Sequence, residues 1–218
     1  MIRWKLIKKE DQRLLQEFFC LYDSMFPIDV REPHEVFWRS FDLDSFLFLV
    51  GLEDGKIISF LTAHYLADVN SGFIVYLGTV PTQRNKGLGK RTLNKIEELL
   101  NEESRSNGFS SLRALVLETE RQEAVHSDEE KADCVRRNRF FSKNGFKAEE
   151  MLHYVQPPLH KGQSPIPLEF FLKSKERITL DECKEIIKSL YREKYLLANE
   201  INSTILSACM KDMRVISD

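Results

Sequence analysis

Apolar and polar residues change period along the chain, and the changes predict its elements. Residues 2–8 alternate as a half-buried strand does. Leu14/Leu15, Phe18/Phe19, Tyr22 and Met25/Phe26 then recur at helical spacing, with Asp11 placed to cap the helix and Pro27 to end it. A charged connector over 27–33 leads to a short helical patch at 34–39. Two apolar runs, 45–52 and 56–67, are joined across Asp54-Gly55, a strong hairpin signal. Residues 73–80 predict a further strand, and 87–102 a helix burying Leu93, Ile96, Leu99 and Leu100. Another strand is predicted over 112–118. The polar, acidic stretch 119–131 has no period and reads as a long loop. A helix over 133–143 ends at Asn144-Gly145, 146–148 is extended, and Pro157-Pro158 with Pro165/Pro167 brackets a turn before an apolar strand at 168–172. Beyond 178 the period is helical: Leu180, Cys183, Ile186/Ile187, Leu190 and Leu197 mark one amphipathic helix, and Ile201, Ile205 and Cys209 begin another.

Composition narrows the class. The 218 residues are 42% hydrophobic, enough for one large domain with a real core. The charged residues are mixed in sign and leave a net −2, which argues against nucleic acid or an anionic membrane as partner. The longest apolar run, 46–52, falls far short of the roughly 20 residues that span a bilayer, and the N-terminus has no signal-peptide core. Cys20, Cys134, Cys183 and Cys209 are scattered and read as reduced thiols in a cytoplasmic protein. The five histidines have no metal-ligand spacing, so no metal is expected.

The chemistry concentrates at Leu77-Gly78-Thr79-Val80-Pro81-Thr82-Gln83-Arg84-Asn85-Lys86-Gly87-Leu88-Gly89-Lys90, where an apolar strand runs through a turn into a helix. The first amides of a helix have no intrahelical acceptors and sit at the positive end of its dipole. Gly87 and Gly89 lack side chains that would keep an anion off the backbone, and Arg84, Lys86, Lys90 and Arg91 add cationic charge. A diphosphate fits this loop. A Walker A loop would need Gly-Lys-Ser/Thr, and a dinucleotide fingerprint a third glycine; neither is present.

Arg84-x-x-Gly87-x-Gly89 in this setting resembles the acyl-CoA pyrophosphate loop of the GNAT superfamily of N-acetyltransferases. Asn138-Arg139-Phe140-Phe141-Ser142-Lys143-Asn144-Gly145-Phe146 resembles the family's second signature, a helix that lies beside the pantetheine and thiol. The resemblance implies an α/β (α+β) fold with a mixed, mostly antiparallel sheet flanked by helices over 1–173, and a helical C-terminal extension over 174–218. It also implies that Leu77, Gly78 and Thr79 hold pantetheine by backbone bonds. Arg84, Asn85, Lys86, Gly87, Leu88, Gly89 and Lys90 would hold the pyrophosphate, with Asn138 and Phe141 lining the thiol end. Many family members carry Tyr, a proton donor to the CoA thiolate, where this chain has Phe141.

Transfer to an amine requires that the ammonium, with a pKa near ~10, lose a proton. Strand alternation puts Glu118 and Glu120 on the same side as Ala114 and Val116. The fold implied by the resemblance opens that strand end beside the acetyl group, which makes Glu118 the first candidate base and Glu120 the second. Asp29, Arg31 and Glu32, in the Pro-braced connector, are candidates to recognise a charged acceptor. Tyr154-Val155-Gln156-Pro157-Pro158 with Pro165-Ile166-Pro167-Leu168 resembles a bacterial GNAT subgroup. The expectation is acetyl transfer from acetyl-CoA to a primary amine in a ternary complex. The alternative is an acyl-CoA-binding regulatory or assembly module without turnover. The amphipathic C-terminal helices must bury their apolar stripe on the domain's own sheet or on a second copy, as in a homodimer.

Overall fold

The computed structural model describes residues 1–28, 30–124, 127–150 and 152–217. Eight strands form a sheet in the order β1 (Arg3–Leu6), β2 (Phe46–Glu53), β3 (Lys56–Leu66), β4 (Ser71–Thr79), β5 (Ala114–Glu120), β8 (Ile166–Lys173), β6 (Lys147–Ala148), with β7 (Val155–Gln156) also on β8. All pairs are antiparallel except β4 with β5. The β2–β3 hairpin turns at Asp54 (φ 50°) and Gly55 (φ 76°), the left-handed pair that matches strand twist.

Helices cover both faces. The helices α1 (Gln12–Met25) and α2 (His34–Ser40) bury Phe18, Tyr22 and Phe37 against Phe48 and Phe60 of one face. Leu93, Ile96 and Leu100 of α3 (Leu88–Ser106) pack with Phe141 of α4 (Asp128–Lys143) on the other. The expectations for α1 and α4 need correction at their starts. Asp11 does not cap α1 with its side chain; the carboxylate takes the Lys8 N–H at 3.0 Å and the Lys5 ammonium instead. The α4 helix begins at Asp128, inside the stretch predicted as loop, because Ser127 and Glu130 form a reciprocal capping box. Residues 125 and 126 of that stretch lie outside the described residues.

The C-terminal segment forms α5 (Leu180–Leu190), capped by Thr179 and Glu182, then a π-helix over Tyr191–Ala198, then α6 (Ser203–Asp212). The single helix expected over 180–197 therefore changes its winding at Tyr191. Most of its stripe packs on the chain's own core, where Ile186, Ile187, Leu190, Tyr191 and Tyr195 meet Phe73, Val116, Tyr154 and Phe170; Leu197, expected on the same stripe, is 43% exposed because the wider winding turns it outward.

Candidate active site

The site begins where two strands part. Ala63 faces Ile74 and Thr62 faces Tyr76, so Val75 is an extra residue in β4 that bends the strand. Parallel pairing of β4 with β5 stops there, at Ile74 opposite Leu117. Beyond it β4 runs on to Thr79 and β5 to Glu120, leaving a wedge with unpaired backbone along its β4 wall.

On one side of the wedge a groove of about 810 Å³ is lined by Leu77 and Thr79, by the loop residues Gln83, Arg84 and Asn85, and by Gly87, Leu88, Gly89 and Lys90. Asn85 (φ 63°) and Gly87 (φ 71°) are both left-handed and swing the chain into α3. No side chain caps that helix, so its first amides have no such partner. A Cβ on Gly89 would meet the Phe140 ring at 3.4 Å and Thr79 Oγ1 at 3.9 Å, both of which line the groove, so a side chain here would project into it. Arg136 and Lys143 of α4 add two cations that the loop sequence did not suggest. These features fit an extended diphosphate. Three residues expected to hold different parts of the cofactor, Gly78 for pantetheine, Lys86 for the pyrophosphate and Asn138 for the thiol end, do not line the groove. At Gly78 the Phe60 ring occupies the place a Cβ would take, so only its backbone is available to the wedge. Lys86 turns outward to donate to Gln83 Oε1 at 3.0 Å. Asn138 accepts from the Thr119 hydroxyl at 2.9 Å, joining α4 to β5.

At Leu77 and Arg137 the groove meets a second cavity of about 220 Å³. Its walls come from three distant segments: the connector after α1 (Phe26, Val30, Glu32), the β7–β8 region (Gln156, Leu159, Ile166, Leu168), and the π-helix (Lys194, Tyr195). Phe141 lines it with a ring edge-on to Phe140 and Phe146. Glu118 lies in its wall. The Tyr195 hydroxyl donates to Glu118 Oε1 at 2.5 Å and Gln156 Nε2 donates to the same oxygen at 2.6 Å. Glu118 Oε2 and the Tyr154 hydroxyl are both shut off from solvent beside one another, and the hydroxyl adds to the donors that draw the Glu118 proton affinity down. Burial pushes the Glu118 carboxyl above the usual range, against the pull of these donors. Burial also holds the Tyr195 and Tyr154 hydroxyls well above theirs, so both stay protonated.

The other candidates are already paired. Glu120 is partly exposed and bound to Arg137 at 2.5 Å. Glu32 is 3% exposed and accepts from Lys194 Nζ at 2.7 Å and Asn199 Nδ2 at 2.6 Å. Arg31 is held on α1 by Asp23, at 3.0 Å, and does not line the cavity. Asp29 lies outside the described residues.

The acetyltransferase (GNAT) family profile matches residues 13–127. The chain belongs to that family. Among solved structures, a protein described as a GNAT-family acetyltransferase from Bacteroides thetaiotaomicron is similar at 23% identity and a TM-score of 0.70, covering 92% of this chain and 99% of its own. The ribosomal-protein-S18-alanine N-acetyltransferase of Escherichia coli matches at 13% identity and TM-score 0.56, over 83% of this chain and 97% of its own. Arabidopsis thaliana NAA60, solved with acetyl-CoA, matches at 18% and 0.55, over 80% and 99%. At such identities the likeness shows the GNAT fold alone. No curated protein matches the chain significantly.

The two GNAT signatures are legible in the sequence, whereas Tyr154, Gln156, Lys194 and Tyr195 enter the site only through the fold. One signal was available for the last two. Lys194 falls on the apolar stripe Tyr191, Lys194, Tyr195, Ala198, and a lysine at a buried position needs a partner.

Proposed function

We propose that this protein transfers the acetyl group of acetyl-CoA to a primary amine by direct attack in a ternary complex, with Glu118 taking the ammonium proton. The observation that carries the reading is the placement of Glu118, a carboxyl with a raised proton affinity, in the cavity that opens from the phosphate-fitting groove. Desolvation raises a carboxyl pKa and lowers that of an ammonium, so both shifts move the proton from nitrogen to Glu118. The free amine then attacks the thioester carbonyl carbon, the attacking nitrogen gives its surplus proton to water, the C–S bond breaks, and the products are an amide and CoA, which leaves as thiolate. The loop amides, Arg84, Lys90, Arg136 and Lys143 support the pyrophosphate, and the unpaired β4 backbone supports the pantetheine. Phe141 offers no proton, so the thiolate, whose conjugate thiol has a pKa of about 8.5, is protonated from water.

Phe141 also favours a second reading, an acyl-CoA-binding module without turnover. Thiol release from acetyl-CoA with a panel of amines separates the two. Turnover that Glu118→Gln depresses most near neutral pH, and least where the amine is already neutral, supports transfer. CoA binding without thiol release from any amine supports the module.

A further inference from the structure

Resting on the transfer reading above, we propose that the acceptor is a compact primary monoamine on an apolar body, carrying no carboxylate and no second cation. The charges around the 220 Å³ cavity lead there. Among the described residues of its wall, Glu32 is matched by Lys194 and Glu120 by Arg137. Glu118 alone has no opposite charge beside it; its partners are the neutral Tyr195 and Gln156. The cavity therefore presents one uncompensated negative charge, which a single ammonium would balance. The remaining wall is largely apolar, formed by side chains such as Phe26, Leu159, Ile166, Leu168 and Phe141.

This arrangement discriminates by desolvation. An amino acid brings a carboxylate, but the charge of each cation in the wall is already matched by a carboxylate, Lys194 at 2.7 Å by Glu32 and Arg137 at 2.5 Å by Glu120, although Arg137 Nε itself has no partner. A polyamine brings a second cation, but the charge of Glu32 is already matched by Lys194 and that of Glu120 by Arg137. In either case the extra charge would enter a wall whose other charges are already matched, and beside the buried Glu32–Lys194 pair it would lose solvent without gaining an opposite charge. The volume sets the size: it equals that of about seven water molecules, room for about one ring and a short chain.

The test compares 2-phenylethylamine, phenylalanine, spermidine and a short peptide with a free N-terminus. The first two differ by a single carboxylate. With full-length protein and acetyl-CoA, products are measured by mass spectrometry. In parallel, binding of each amine to CoA-loaded protein is measured by calorimetry. We expect kcat/KM and affinity for 2-phenylethylamine at least about 100-fold above phenylalanine and spermidine, and above the peptide as well. Equal or greater use of phenylalanine, spermidine or the peptide overturns this proposal while leaving acetyl transfer standing. Selective binding of 2-phenylethylamine without any product overturns transfer and supports the cavity's selectivity. No selectivity in either measurement overturns the proposal.

Discussion

Tyr195, in the C-terminal π-helix, donates its hydroxyl to Glu118 of β5 at 2.5 Å, across 77 positions of sequence. A segment beyond the residues matched by the family profile thus sets the environment of the proposed base. The donor holds the carboxylate's proton affinity down, while burial raises it. Tyr195→Phe removes the donor with little change in volume, so the Glu118 pKa should rise further. The acidic limb of kcat/KM against pH should move up by about one unit, as expected for losing one hydrogen bond to a charged group. A packing role alone would lower the rate without moving the limb, so superimposable profiles would refute the assignment.

Glu118 should also leave a mark on stability. Its folded-state proton affinity is raised above the ordinary value of 4.5. The native state therefore binds the proton more tightly than the unfolded chain, and stability falls as pH rises through the folded pKa. Glu118→Gln carries no such penalty. Its melting temperature should exceed that of wild type near neutral pH, and the gain should shrink as pH drops towards and below 4.5. Thermal unfolding of both proteins across that range checks this; a gain that is independent of pH would count against burial of the charge.

Two glycines of the phosphate loop should respond differently to the same change. Gly87 sits at φ 71°, where a β-branched residue is strained, so Gly87→Val should lose about 1–2 kcal/mol of stability along with CoA binding. Gly89 has ordinary backbone, with Phe140 at 3.4 Å and Thr79 Oγ1 at 3.9 Å as its neighbours. Gly89→Val should keep its melting temperature within a few degrees yet lose CoA affinity, because its methyl groups stand in the groove. Isothermal calorimetry with CoA decides it: unchanged affinity in Gly89→Val would remove the groove from the mechanism.

The Glu32–Lys194 pair is buried on both sides, with side chains 3% and 4% exposed. Removing one partner leaves the other charge stranded. Lys194→Met or Glu32→Gln should each cost about 3–5 kcal/mol, and the double variant much less than their sum. Chemical denaturation of the four proteins measures the coupling; additive losses would show that the two charges do not depend on each other.

Much of this architecture could be read from local pattern. The Asp54-Gly55 hairpin, the stripe of α3 and the turn into its start depend on neighbours a few residues away, and the structure has them where the sequence put them. The start of α4 was also written locally, in Ser127 and Glu130, but the polar stretch hid a capping box. The change of winding at Tyr191 had no comparable local mark.

What the sequence determined by itself was the family, the order of elements apart from the short β7, and the turn that opens α3, since a glycine-bounded helix start carries its geometry in adjacent residues. Only the tertiary structure decided which carboxylate is buried in the cavity and which are neutralised. Glu118, Glu120 and Glu32 look alike as acids in a chain, and strand alternation even places the first two together. Their difference comes from Tyr195, Arg137 and Lys194, which lie 77, 17 and 162 positions away. A carboxyl's proton affinity is set by the charges, donors and solvent around it, and those neighbours exist only once the sheet has brought distant segments to one place.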